Sequence, residues 1–172
     1  MGLPQLNNDV PKYEMTVPST KEVVKYRPFL VKEQKVLLVA FESKDSKQIL
    51  NGMLDCLKTC VPGINVDALA TFDIDYMFTQ VRSKSVGEST QLSHACSECN
   101  EENEVKVNLD NINIATHENW EDARNIKLTD DITVELKYPT YSDILRNEAL
   151  DNKDIAGAEM VFEGIISCLN SV

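Results

Sequence analysis

Two cysteines and a histidine in one short stretch are the residues whose types and spacing could do chemistry. His94, Cys96 and Cys99 lie in the segment HACSEC. On an extended strand His94 and Cys96 point to the same face, and a turn through C-x-x-C would bring Cys99 toward both. Zinc accepts imidazole and thiolate ligands, so these three residues are candidate zinc ligands.

A structural zinc site needs a fourth ligand. His117 or a cysteine of another element is a candidate, but the sequence has no second C-x-x-C, which argues against a complete zinc ribbon. A redox pair fits less well, because a thioredoxin-like C-x-x-C begins a helix whereas this one lies between two predicted strands. Three interpretations stay open: a hairpin without metal, which the sequence favours, a zinc site, and a redox pair.

The rest of the sequence offers little catalytic chemistry. It contains two histidines and no glycine-rich phosphate loop, nucleophile elbow, H-E-x-x-H or EF-hand pattern. Cys56, Cys60 and Cys168 lie on or beside the apolar stripes of predicted helices, where cysteine acts as a small hydrophobe. We therefore predict that the protein is not an enzyme and has no cofactor, zinc excepted.

The elements that would position these residues are those of an α+β fold. Alternation predicts a hairpin of Tyr13–Val17 and Val23–Arg27, and apolar periodicity predicts helices over Leu30–Glu42 and Asp45–Cys60. We expect a single domain over residues 1–172. Its parts are an N-terminal β-hairpin (12–27), a helical core of about five helices (30–84, with C-terminal helices over 140–170) and an inserted small antiparallel β module with the C-x-x-C hairpin (88–138).

Helix ends and faces can also be predicted. Asp73 is a plausible N-cap of a third helix, and Gly87 should end that helix with a positive φ. A last helix over Ile155–Asn170 carries an apolar stripe, which we expect to pack on the first helices. The apolar face of the first helix is predicted to comprise Val36, Leu37, Ala40 and Phe41.

Charge and hydropathy exclude several classes of partner. The 172 residues carry a formal net charge of −11, and a uniformly acidic surface repels phosphate backbones, so we predict no nucleic-acid binding. No apolar stretch approaches 18 residues, and residues 1–14 lack the basic and apolar regions of a signal peptide, so we predict no membrane insertion. Five cysteines, an odd number, suit a reducing compartment.

The charges are unevenly distributed. Residues 21–35 hold five basic and two acidic side chains, whereas residues 98–122 hold eight acidic and one basic. This asymmetry could steer a charged protein partner, or further copies of the chain, onto the molecule. The other interpretation is that both segments are solvated faces.

Three stretches of the sequence resemble the baseplate hub proteins of T-even-type contractile-tail bacteriophages. They are VKYRPFLVKEQKVLLVAFES, FDIDYMFTQVRSKSVGE and the later C-x-x-C hairpin. The matching positions are Arg27-Pro28-Phe29-Leu30, Asp73-Ile74-Asp75 with Phe78, Arg82 with Ser85-Val86-Gly87-Glu88, and Cys96 with Cys99. The resemblance is specific in the first hundred residues and architectural in the rest.

The resemblance implies a non-catalytic structural or assembly component of the tail baseplate's central hub. Such a protein acts by binding other baseplate or hub subunits, resides in the virion, and is assembled in the host bacterial cytoplasm; a homo-oligomer is also possible. A cytosolic zinc-containing adaptor is the alternative function, followed by an enzyme with an unrecognised site.

Candidate partner-binding residues lie where the positive segment meets the first helix. Arg27, Phe29 and Lys32 follow one another there, and Arg82 and Lys84 lie on the predicted third helix. Arginine and aromatic residues are enriched in interface hot spots, so we expect these five residues to contact another hub subunit. The other interpretation is that Phe29 anchors the core and that Arg27 pairs internally with Glu33 or Asp75.

Overall fold

The computed structural model describes residues 10–115, 119, 123–146 and 157–171. Its strands are β1 Tyr13–Thr16, β2 Val23–Tyr26, β3 Ser89–Ala95, β4 Glu102–Asn108, β5 Asn125–Lys127, β6 Thr133–Leu136 and β7 Leu169–Ser171. Its helices are α1 Val31–Glu42, α2 Ser46–Cys60, α3 Thr71–Val86, α4 Tyr141–Arg146 and α5 Gly157–Ser167. Helices and small antiparallel sheets confirm the predicted α+β class.

The main hydrophobic core lies between the β1–β2 hairpin and helices α2 and α3. The two strands pair antiparallel, with Tyr13 opposite Tyr26 and Met15 opposite Val24. Alternation turns one face of the hairpin inward, because successive side chains of a strand point to opposite sides. The most deeply buried apolar side chains of this core, each below 2% exposed, are Val17, Leu57, Cys60, Val61, Val66, Ile74, Met77 and Val81.

Helices α1 and α2 form an antiparallel pair, and the sequence provides a cap at the start of α2. Asp45 precedes α2, and its Oδ1 accepts hydrogen bonds from the backbone N–H groups of Lys47 (2.8 Å) and Gln48 (3.3 Å). The two helices approach closely at Gly52, which is buried against the Ala40 side chain. In α1 the buried residues are Glu33, Leu37 and Ala40.

The predicted N-cap of α3 is wrong by one turn. Ala70 occupies the N-cap position, and Asp73 lies inside the first turn with a fully buried side chain. Its carboxylate accepts hydrogen bonds from the backbone N–H groups of Ala70 (3.2 Å) and Ser19 (2.9 Å), so it caps the helix from within and ties it to the hairpin turn. At the other end, Gly87 has φ = 150° and donates to the Ser83 carbonyl, which confirms the predicted positive φ.

The second half of the chain forms two further sheets. Strands β3 and β4 make a two-stranded hairpin, and β5, β6 and β7 make a three-stranded sheet in that order. The prediction of helix as far as Asn170 is wrong: α5 ends at Ser167 and β7 follows. Leu169 pairs with Leu136, and the Asn170 and Ser171 side chains donate to Glu135, so sheet hydrogen bonds replace the last helical turn.

The packing of the C-terminal helices also differs from the prediction. Tyr141, which begins α4, packs against the main core and donates a 2.7 Å hydrogen bond from its hydroxyl to Asp75. The apolar side chains of α5, however, are more than half exposed instead of covering the first helices: Val161, Phe162, Ile165 and Ile166. Residues 147–156 of the predicted C-terminal helices (140–170) lie outside the described part of the chain. Among the described helices, none is long and apolar enough to cross a membrane.

Candidate functional site

Cys96 and Cys99 lie at the exposed tip of the β3–β4 hairpin. The Cys96 N–H donates to the Glu101 carbonyl and the Asn100 N–H donates to the Cys96 carbonyl, both at 2.9 Å, and Asn100 has a φ of 56°. Hydrogen bonds from the backbone N–H groups of Cys99 and Glu98 lower the pKa of the Cys96 thiol. The Cys96 thiol therefore loses its proton more readily than an ordinary cysteine thiol.

His94 does not complete a metal site with these cysteines in the described residues. It is exposed on β3, opposite Asn103 of β4. Within residues 10–115, 119, 123–146 and 157–171 there is no group of three or more histidine, cysteine or acidic side chains able to hold a metal ion. The other suggested ligand, His117, lies outside the described residues. The hairpin offers a pair of thiols.

Arg27 is held at the junction between β2 and α1 by internal contacts. Its Nη2 lies 3.0 Å from Glu33 Oε1, and its Nη1 donates to the Pro28 carbonyl at 2.9 Å. Glu33 also accepts a 2.8 Å hydrogen bond from the Leu30 N–H. Burial raises the pKa of Glu33, but these hydrogen bonds outweigh it, so the pKa lies below its ordinary value. The pair fixes the entry into α1.

Phe29 and Lys32, on either side of this junction, face different surroundings. Phe29 is partly buried against the main core, and its N–H donates to the Ser85 hydroxyl at 2.9 Å. The Lys32 side chain is 70% exposed, with its Nζ 3.4 Å from Glu33 Oε1. Of the three junction residues, Lys32 is the one that a partner can reach most directly.

Helix α1 presents a large apolar surface that the sequence interpretation missed. The buried positions Glu33, Leu37 and Ala40 define its inner side. Other apolar side chains of the helix are exposed by about half or more: Val31 (80%), Val36 (53%), Leu38 (55%), Val39 (60%) and Phe41 (49%). We call these five residues the α1 surface. Its sequence signal is that apolar side chains occur on every side of α1, with polar ones between them, whereas a helix covered on one side carries a single apolar stripe.

Lys84 on α3 is held by two ion pairs within the chain. Lys84 Nζ lies 2.7 Å from both Glu88 Oε1 and Asp110 Oδ2, and 5.8 Å from the centroid of the Tyr13 ring. The hydrogen bonds to Asp110 and Glu88 raise the pKa of Lys84, and Ser83 also donates to Asp110. Arg82 is half-buried. Lys84 therefore fastens the end of α3 to the segment that follows β4.

The two thiols of α2 belong to the main core. Cys56 and Cys60 are almost completely buried, and their sulfur atoms are 4.0 Å apart. The hydrogen bond to Cys60, with burial, raises the pKa of the Cys56 thiol. Cys60 adjoins a shallow pocket of about 260 Å³ lined also by Lys25, Arg27 and Pro62. Packing, as expected from the sequence, accounts for both thiols.

A comparison with known protein families identifies the chain's relatives. The family model described as "T4 bacteriophage base plate protein" matches residues 10–172. No curated protein and no solved structure matches the chain. The family match spans all the elements above and confirms the resemblance to T4-type baseplate proteins, which are structural proteins of the phage tail. The chain belongs to the T4 bacteriophage base plate protein family.

Proposed function

We propose that this baseplate protein is a non-catalytic component of the central hub and binds other hub subunits through the α1 surface. The observation that carries the proposal is the exposure of five apolar side chains on a helix whose opposite side is already in the core. Several large apolar side chains exposed on one helix indicate a protein–protein interaction site, because leaving them in water is unfavourable.

Charge around the α1 surface indicates the chemistry of the partner. Lys32 is 70% exposed at the start of α1, and the exposed Lys35 lies on the outward side of the same helix. A partner with an apolar centre and acidic side chains at its rim would complement both features. In our proposal Arg27 and Phe29 act indirectly, by holding the junction that leads into α1, and Lys84 by holding the end of α3.

Membership of a family of baseplate structural proteins supports a role without catalysis. The cysteine pair of α2 is buried. The five cysteines are all free, which suits assembly in the reducing bacterial cytoplasm. We propose that the protein folds there and joins the baseplate as a subunit of the virion tail.

The test is assembly of the full chain with the other hub proteins of its phage. Leu38→Glu together with Val39→Glu places two charges on the α1 surface, where both side chains are more than half exposed. We expect the double variant to keep the melting temperature of the isolated protein. We expect hub association to weaken by about 2 kcal/mol or more, because charges would be buried unpaired in the interface.

The matched control is Leu128→Glu, which changes a 63% exposed leucine in the three-stranded sheet region. It should leave association unchanged. If the double variant joins the hub proteins as well as the wild type does, the α1 surface is not the interface. Arg27→Glu is a poor probe, because it would set two carboxylates side by side at the 7% exposed Glu33 and destabilise the fold itself.

A further inference from the structure

We propose that two copies of the chain pair through their β3–β4 hairpins and share one zinc ion between the Cys96 and Cys99 thiolates of both copies. This inference goes beyond the hub function and is independent of it. It rests on the geometry of the hairpin tip, on the distribution of charge over the two faces of the hairpin, and on the absence of further ligands in the described residues.

The tip has the form of half a zinc site. Cys96 and Cys99 are three residues apart in one tight turn that closes the hairpin, and Asn100, which follows Cys99, has a positive φ of 56°. The turn is closed by the two 2.9 Å hydrogen bonds between Cys96 and residues 100 and 101. Such a turn places two thiols close together at an exposed tip, and zinc would bind both of them after they lose their protons.

Nothing in the described part of this chain supplies the remaining ligands. A structural zinc site is four-coordinate, and the residues within reach of the tip do not form a group of three or more. A second copy supplies two identical thiols from the same exposed turn. A two-fold axis through the metal then gives a closed Cys₄ site, and such self-complementary pairing is the commonest form of protein oligomer.

The hairpin has one face that a second copy can cover. Leu92 lies opposite Val105 in the register, and these side chains are 52% and 47% exposed. By alternation they share one face with Thr90, His94, Asn103 and Val107, whereas Glu102 and Glu104 fall on the other face. We call the first the neutral face. A two-stranded ribbon with an exposed apolar face is marginal alone and gains stability when a second ribbon covers that face.

Charge at the tip makes this pairing depend on the metal. Glu98 and Glu101 flank the cysteines, so two tips brought together without a cation would repel each other. A divalent ion between four thiolates offsets that repulsion and replaces the thiol protons, which are released to solvent. Dimerisation and metal binding should therefore occur together.

The experiment measures metal stoichiometry and molar mass on the full-length protein. The protein is purified with a non-thiol reductant, stripped with a chelator, and titrated with Co²⁺ and then Zn²⁺. We expect thiolate-to-cobalt absorption that saturates at one metal ion for every two chains, displacement of that absorption by zinc, and a doubling of the mass by sedimentation at the same point. Binding of one ion per chain without a mass change, no binding at all, or a dimer that persists without metal would each overturn the proposal.

Variants locate the site. Cys99→Ser should abolish both the cobalt–thiolate absorption and the mass change, whereas Cys168→Ser, which changes a half-buried free cysteine elsewhere, should preserve both. Val105→Glu on the neutral face should keep the far-UV spectrum and weaken metal-dependent dimerisation at least tenfold. Retention of cobalt–thiolate absorption in Cys99→Ser would contradict the assignment. The wild-type stoichiometry is decisive even if a variant fails to fold.

Discussion

At the scale of single residues, Glu33 illustrates how a charged side chain can serve the core. It is 7% exposed, yet its carboxylate binds the Arg27 guanidinium and the Leu30 N–H, so its charge is compensated. Removing that charge would leave Arg27 without its carboxylate partner. We predict that Glu33→Gln lowers the free energy of unfolding at pH 7 by about 1 kcal/mol or more.

The pH dependence of this variant follows from the direction of the pKa shift. The pKa of Glu33 lies below its ordinary value of 4.5, so the carboxylate stabilises the folded state fully above that value. This contribution is lost as the pH falls through the folded-state pKa. Urea unfolding should therefore show a constant difference between wild type and Glu33→Gln from pH 7 to about pH 5, and a shrinking difference below that. The exposed Glu42→Gln is the control; a difference that grows in acid would contradict the argument.

At the scale of elements, the close contact between α1 and α2 depends on Gly52, which has no side chain. A Cβ atom added at Gly52 would lie 3.0 Å from the Ala40 Cβ, closer than nearly all such contacts. A larger side chain must therefore push the two helices apart. We predict that Gly52→Leu lowers the free energy of unfolding by about 1–3 kcal/mol, although leucine favours helix by about 1 kcal/mol over glycine.

Gly164 provides the matched control because it is also a helical glycine. Among the described residues, and apart from its chain neighbours and its own helix backbone, no atom lies within 4 Å of a Cβ added there. Gly164→Leu should therefore be neutral or slightly stabilising in the same urea experiment. Equal destabilisation by both substitutions would show that helix packing at Gly52 is not the cause.

The elements also show how far the sequence could be interpreted. The spacing of apolar residues and the residues at helix ends predicted the first hairpin and α1 to α3. These signals are local: alternation indicates a strand, Asp45 begins α2 and Gly87 ends α3. Local patterns could not assign Val36 and Phe41 of α1, since an apolar stripe looks alike whether the core or a partner covers it. Strand β7 was also missed, because three residues carry too weak a pattern and their pairing with β6 is a tertiary contact.

The candidate sites also contain a part that local sequence patterns predict and a part that depends on tertiary contacts. The C-x-x-C turn was predictable because its residues are adjacent in sequence. Whether a third metal ligand lies near the two cysteines was not predictable, because it depends on which elements contact the hairpin. Among the described residues, no element places a third ligand there. The internal pairing of Arg27 with Glu33 was foreseen as one of two interpretations, and whether the five predicted partner residues contact a hub subunit stays a prediction.

At the scale of the whole molecule, stability is concentrated in the first half of the chain. The buried core cluster runs from Met15 to Val81, and among the described residues beyond Val81 it is Tyr141 that packs against it. Helix α5 leaves Phe162 and Ile166 more than half exposed, so it adds little to this core. The C-terminal residues are instead joined to the rest through β7, which pairs with β6.

We therefore predict that deleting residues 157–172 leaves the main core folded. Hydrogen exchange monitored by mass spectrometry should show unchanged protection in α2 and α3, because the buried cluster to which they belong lies within residues 15–81 and is retained, as is Tyr141. Protection should fall in β5 and β6, because β6 loses its pairing with β7 and the remaining two-stranded sheet is marginally stable. Loss of protection throughout α2 and α3 would instead mean that α5 or β7 supports the main core, and the molecule would then unfold as one unit.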